Sequence, residues 1–194
     1  MRSDRRMARL RNVLKRRQPD LTVVMENIHD PHNVSAVLRS CDAAGVMEVQ
    51  LVYTDTEFPE IGPKSSASAG KWIERRSFSR IDTCYETLHR DGFMIYATHV
   101  GGSARSVYDL DLTRKIAFVV GNEHRGVSDD ALRAADGMVQ IPMFGMLESL
   151  NVSVAAAVLL FEAVRQRLAA GHYNRPKFSE EDLERWLKAW AMKE

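Results

Sequence analysis

Short apolar runs separated by polar turns organise the chain. Leu21 to Met25 is an unbroken apolar stretch of the kind that forms a strand buried on both faces. Val46 to Tyr53, Lys71 to Arg76, Phe93 to Ala97 and Lys115 to Val120 read as further strands. Another strand ends at Ile141-Pro142, where Pro can donate nothing to a ladder. Helical spacing fills the gaps. Asn33 is placed to N-cap a helix through Val34, Val37, Leu38 and Cys41 to Ala44, with Gly45 as its stop. Ser79 heads a helix burying Ile81, Tyr85 and Leu88 that stops near Gly92. Ser128 heads another, with Asp129 and Asp130 in its first turn. Val154, Val158, Phe161 and Arg165 recur along a long helix that Gly171 ends, with Ser149 and Asn151 where N-caps sit. Such βα alternation predicts an α/β fold with an open parallel sheet. Residues 54–70, rich in Pro, Ser, Gly and acids, read as a surface loop.

Two terminal segments depart from this rhythm. Residues 1–19 form a basic arm in which Arg5, Arg6, Arg9, Arg11, Arg16 and Arg17 face one acid, Asp4, while Met7, Leu10 and Leu14 fall at helical spacing. Dense charge of one sign points to a polyanion, most simply nucleic acid, although the same helix could pack on the body through its apolar stripe. Residues 172–194 begin with a basic-aromatic link carrying Arg175 and Lys177. They continue into a helix capped by Ser179, whose apolar face is Leu183, Trp186, Leu187 and Trp190. Residues 20–171 make up the central domain.

The 194 residues carry a net charge of only +1, so it is the distribution of charge that is informative. Cys41 and Cys84 are too few for a disulfide framework, no run is long enough to span a bilayer, and the Arg-rich start lacks a signal peptide's apolar stretch. These features predict a cytoplasmic protein without membrane attachment. No cluster of His, Cys and acids has ligand spacing, so no metal is expected.

The candidate chemistry lies in the loops. Arg39 sits mid-helix among apolar neighbours. It is either a snorkelling cation paired with a surface acid or a guanidinium held toward a phosphate or hydroxyl. Thr98 and His99 follow a strand, and ligands of open α/β sheets bind at carboxyl ends of strands, so this loop is a candidate pocket wall. After Val120 comes Gly121-Asn122-Glu123-His124-Arg125-Gly126, in which the glycines allow tight turns or close backbone approach. A polar loop with Gly145, Glu148, Ser149 and Asn151 precedes the long helix, where open amides suit a polar ligand. No GxGxxG follows the first strand, which disfavours a dinucleotide-type Rossmann enzyme.

Three of these stretches, ENIHDPHNVSAVLRSCDAAGV, GNEHRG and IPMFGMLESLNVSVAAA, resemble in order the three motifs of the SpoU branch of the SPOUT RNA 2′-O-ribose methyltransferases. SAGKW resembles the family more weakly. The resemblance spans roughly Leu21 to Ala170. It implies an open parallel-sheet SPOUT fold with a deep carboxyl-terminal trefoil knot, here flanked by short terminal helices, and a homodimer with active sites at its interface. It implies S-adenosyl-L-methionine as cofactor, held around Thr98, His99, Gly121, Asn122, Gly126, Ile141, Met143, Met146, Ser149 and Leu150. By the same resemblance the catalytic set is Asn33, Arg39, Glu123, Ser149 and Asn151. A guanidinium is a poor base, so Arg39 is expected to orient and acidify the ribose hydroxyl together with an RNA phosphate. The expected substrate is a tRNA ribose, guanosine 18 of the D-loop foremost. The alternatives are a wobble ribose, a ribosomal RNA ribose, or a non-catalytic RNA-binding role.

Overall fold

A computed structural model describes residues 4–54, 57–59 and 69–193. The expected loop 54–70, with Lys64, Ser65, Ser66 and Ser68, lies largely outside the described residues. Helix α1 (Asp4–Leu14) leads into β1 (Leu21–Glu26), α2 (Pro31–Ala44), β2 (Glu48–Val52), α3 (Ala69–Trp72), β3 (Glu74–Phe78), α4 (Ile81–Arg90) and β4 (Met94–Thr98). The chain continues through β5 (Arg105–Ser106), a 3₁₀ turn at Val107–Asp109, β6 (Ile116–Val120), α5 (Asp129–Ala134), β7 (Gly137–Gln140), α6 (Val152–Ala169) and α7 (Glu180–Met192). The strands form one sheet in the order β3-β2-β1-β6-β4-β7-β5, and every pairing is parallel.

The period-two alternation of each central strand divides its side chains between two cores. Val23 and Met25 of β1 and Phe118 and Val120 of β6 pack with α2 and α6. Val24, Ala117 and Val119 face the other way, toward Cys84, Tyr85 and Leu88 of α4 and Ala131 of α5. Helices α1 and α7 form a third cluster: Leu10, Leu14, Leu183, Leu187 and Trp190 enclose Met47 and Trp72, just ahead of β2 and β3. The terminal helices therefore sit at the amino edge of the sheet.

Four expectations need correction. Asp30, not Asn33, caps α2: its side chain accepts from the His32 amide at 2.8 Å and Pro31 takes the first helical position, where a missing N–H costs nothing. Asn33 is thereby carried inside the helix. Lys71 to Arg76 is not one strand, because Ala69–Trp72 forms a helical turn that sets Trp72 against Trp190 at 5.2 Å between ring centroids. Ser79 caps nothing; Arg80 occupies the cap position of α4 without a side-chain cap bond. Finally, the apolar spacing along α6 marks its outer face. Val154 and Phe161 are exposed, and Ala156, Leu159, Leu160 and Ala163 make the core contact instead.

Two buried arginines tie the amino edge together. All five N–H donors of a guanidinium are used at Arg167. It bonds the Leu112, Asp20 and Arg114 carbonyls at 3.0, 3.0 and 2.6 Å, Gln18 Oε1 at 3.1 Å and Asp20 Oδ1 at 2.5 Å. The last turn of α6 is thus fixed to the starts of β1 and β6. Arg17 bonds Val46 O at 2.9 Å and Asp42 Oδ1 at 2.5 Å, and lies 5.0 Å from the Trp190 ring centroid.

Candidate active site

At the carboxyl edge of the sheet a cavity of about 660 Å³ opens over β4, β6 and β7, a size typical of small-ligand sites. Its walls are the chain leaving β4 (Thr98, His99, Val100), the turn after β6 (Gly121 to Val127), and the chain leaving β7 (Ile141, Met143, Glu148, Ser149, Leu150, Asn151) up to the first turns of α6. Backbone bonds set the walls. The His99 amide donates to Val139 O at 3.1 Å, and Thr98 Oγ1 donates to Val119 O at 3.0 Å. The turn after β6 closes tightly enough that a Cβ on Gly121 would stand 2.1 Å from the Gly126 carbonyl oxygen, so only Gly fits there.

The cavity mouth carries a hydrogen-bonded chain joining all three motif loops. Glu123 accepts from the His29 and Asp30 amides, each at 3.2 Å, and from Asn33 Nδ2 at 3.0 Å. Asn33 Oδ1 in turn accepts from Asn151 Nδ2 at 3.0 Å. Asn151 also caps α6, its Oδ1 accepting from the Ser153 amide at 2.9 Å. Partial burial disfavours the charge on Glu123, but the bonds from Asn33, His29 and Asp30 outweigh it and hold the carboxyl below its usual range.

The structure therefore joins Asn33, Glu123 and Asn151, with Ser149 on the adjoining wall. Arg39 is not part of this group. It is exposed, has no hydrogen-bond or ion-pair partner among the described residues, and lies six residues along α2 from Asn33, about 9 Å at helical rise. Nine of the ten expected cofactor positions line the cavity. Met146 does not; it is 98% exposed, as is Phe144.

The expected RNA-binding cations divide in two. Arg17 is buried and fixed inside the protein, Arg11 pairs with Glu180 and Glu184, Arg6 donates to Lys193 O at 2.5 Å, and Lys177 pairs with Asp20. These four are structural contacts. Arg5, Arg9, Arg16 and Arg175 are exposed and have no partner among the described residues. The first three line a groove beside Asp42, Gly45 and Tyr173.

Sequence reading missed the His29 and Asp30 amides as clamps on Glu123, and Asp129 and Leu132 as parts of the cavity wall. The Asp30-Pro31 pair was the available signal: read as cap and first helical residue, it moves the helix start forward and frees the Asn33 side chain.

Residues 20–161 match the SpoU rRNA methylase family. The chain belongs to the SpoU family. It is 46% identical over 192 residues to the tRNA (guanosine(18)-2′-O)-methyltransferase of Thermus thermophilus, covering 99% of this chain and 98% of that one. The crystal structure of the TrmH/SpoU tRNA modifying enzyme of A. aeolicus superposes with a TM-score of 0.91 at 38% identity, covering 97% of this chain and 95% of that one. The SpoU methyltransferase AviRb of Streptomyces viridochromogenes, solved with AdoMet, matches at a TM-score of 0.65 and 28% identity over 76% of this chain and 58% of that one. The all-parallel sheet and the methylase assignment agree with the reading of the sequence. Among the described residues no helix is long and apolar enough to cross a membrane, and no group of three or more His, Cys, Asp or Glu could hold a metal.

Proposed function

We propose that the protein uses S-adenosyl-L-methionine to methylate the 2′-hydroxyl of a tRNA ribose, that of guanosine 18 in the D-loop, and works as a homodimer. The observation that carries this reading is the Glu123–Asn33–Asn151 chain at the mouth of a cavity built by all three motif loops. Near-full-length similarity to enzymes named for guanosine 18 supports the choice of target.

The cavity fits the cofactor. Apolar Val139, Ile141 and Leu159 suit a flat purine, and the close turn Gly121–Gly126 brings backbone to the ligand where a side chain would block it. When bound, the cofactor supplies an electrophilic sulfonium methyl. The chain's part is to place and activate the hydroxyl. Asn33, held by Glu123 and Asn151, positions the ribose, and Ser149 orders the adjoining loop. The unpaired Arg39 guanidinium binds an RNA phosphate next to the hydroxyl and favours loss of its proton.

The dimer reading rests on two unpartnered features. The outer face of α6 exposes Val154, Phe161 and Leu168, and the loop before α6 exposes Phe144, Met146 and Leu147. Apolar patches of this kind mark interfaces. A second copy docked there would cover these apolar side chains and the loop that walls the cavity. The segment from β7 to α6 is the part that the family's trefoil knot would thread. Terminal helices α1 and α7 form the RNA-contacting appendage, with Arg5, Arg9, Arg16 and Arg175 as its free cations, in a cytoplasmic enzyme.

The test is to incubate the protein and cofactor with unmodified tRNA and ribosomal RNA fragments and map ribose methylation by resistance to alkaline cleavage. Methylation at guanosine 18, lost when that residue is 2′-deoxy, is expected. Modification confined to ribosomal RNA or the wobble ribose would overturn the assignment.

A further inference from the structure

On the β1 side of the turn Gly121–Gly126 lies a second hollow, of about 400 Å³. Because β6 stands between β1 and β4 in the sheet, this turn separates the hollow from the cofactor cavity. Glu26, Asn27 and His29 of the chain leaving β1 form one wall, and Arg125, Gly126 and Ser128 form the other. The hollow is pinned open. Asn27 is held at φ 48°, its side chain bonded to Thr54, and its carbonyl accepts from Asn122 Nδ2 at 2.9 Å. Asn is, after Gly, among the residues that most readily enter left-handed backbone, and such single residues recur at functional sites.

The lining offers one strong acceptor and two donors. Glu26 is the one carboxylate among the described residues lining the hollow, and it is only 4% exposed. It takes one bond on each oxygen, from the Ser128 amide at 2.9 Å and Ser128 Oγ at 2.6 Å. A carboxylate offers about four acceptor positions, so each oxygen retains one. His29 Nδ1 faces Asn122 Nδ2 at 3.3 Å. An amide nitrogen only donates, which leaves the ring proton on His29 Nε2 as a donor. The Arg125 guanidinium has no partner among the described residues. A planar ligand with donors on one edge and acceptors on another matches this lining, Glu26 taking the donors and His29 and Arg125 the acceptors. Guanine has the N2 amino group and N1–H on one edge and the acceptors O6 and N7 on the other. Adenine would turn an acceptor toward Glu26.

We propose that this hollow receives the guanine base of the target nucleotide, with Glu26 reading its N1–H and 2-amino groups. The inference rests on the reading that the target is a guanosine. It also fits the neighbouring geometry. Glu123, in the separating turn, holds the amide of His29, which lines the hollow, and also bonds Asn33, so the hollow adjoins the group that is to position the ribose. The competing role for Glu26 is structural only: it fixes Ser128, whose Oγ caps α5 by accepting from the Ala131 amide at 3.2 Å.

The experiment compares wild type and Glu26→Gln on tRNA transcripts with guanosine or inosine at the target, inosine lacking the 2-amino group. Wild-type kcat/KM should fall about ten- to a hundredfold on inosine, the effect of one hydrogen bond to a charged acceptor. Glu26→Gln should lower the rate on guanosine and bring the two substrates within about twofold. Calorimetric cofactor titration of the variant reports whether it has folded. A wild type that methylates both transcripts equally overturns the base pocket while leaving the ribose methylation reading intact, whether or not the variant folds. So does a folded variant that keeps the wild-type ratio. A wild type inactive on the guanosine transcript overturns both.

Discussion

The two edges of the sheet handle polar groups in opposite ways. At the amino edge the buried cations are tied to acceptors, with Arg17 Nε left as a buried donor without a partner. Arg167 uses five donors on four residues, and Arg17 is paired with Asp42 and stacked on Trp190. At the carboxyl edge one carboxylate, Glu123, and two amides, Asn33 and Asn151, bind each other, and farther along α2 the exposed Arg39 has no partner among the described residues. A well-bonded network in a dry place rigidifies, whereas an exposed, unpaired donor is free for a ligand. The same residue type thus does two jobs, and burial with available acceptors decides which. Helix α2 joins the regions. Asn33 lies in its first turn and Asp42 in its last, so RNA that touches both the arm groove and the cavity mouth of one chain must run about 14 Å along it.

Arg167→Ala should show the largest effect, on stability alone. Removing one partner of a buried pair typically costs about 3–5 kcal/mol, and the loss should appear as a lower urea midpoint with no change in the cofactor affinity of the folded fraction. A midpoint within experimental error of wild type would mean that the amino edge does not hold the fold as described.

Arg39→Ala is the mirror experiment. Its exposed, unpartnered guanidinium predicts a stability change within about 0.5 kcal/mol, while single-turnover methyl transfer falls about 10²- to 10³-fold with cofactor binding retained. Near-normal turnover would remove Arg39 from the chemistry.

The arm sharpens the comparison within one helix. Replacing Arg5, Arg9 and Arg16 with Ala should weaken tRNA binding. Its logarithmic salt slope should flatten by about 0.7–0.9 for each phosphate that is no longer neutralised, with the thermal midpoint near that of wild type. Replacing Arg6 and Arg11 should lower the midpoint and leave the salt slope unchanged. Filter binding over a salt series separates the two sets, and equal slopes for wild type and the triple variant would count against the arm's RNA role.

The smallest effect concerns pH. Burial disfavours charge on Asp20, but the bond from Lys177 and the charge of Arg167 outweigh it and depress its pKa. A depressed carboxyl stabilises the fold above the unfolded value near 4, and that contribution is lost as pH falls through the folded value. Asp20→Asn should therefore lower the urea midpoint at pH 7 and flatten its decline below about pH 4.

The apolar runs from Leu21 and Lys115 were legible as strands buried on both faces, because burial on two sides demands unbroken apolarity. Ser128, Asn151 and Ser179 were read correctly as caps because a cap bond is local, reaching two or three residues. Ser79 and Lys71 to Arg76 misled, since a capping side chain can go unused and a short run can be turned into a helix by a distant Trp190.

The sequence by itself determined the alternation of strands and helices, most helix ends and the three motif loops, because these depend on side-chain periodicity and on contacts within one turn. Only the tertiary structure decided that Asn33 meets Glu123 and Asn151, that the apolar stripe of α6 through Val154 and Phe161 faces outward, and that Arg17 is buried while Arg5 and Arg9 are free. Those outcomes depend on the sheet order β3-β2-β1-β6-β4-β7-β5, which brings together residues about a hundred positions apart and is not encoded in any local spacing.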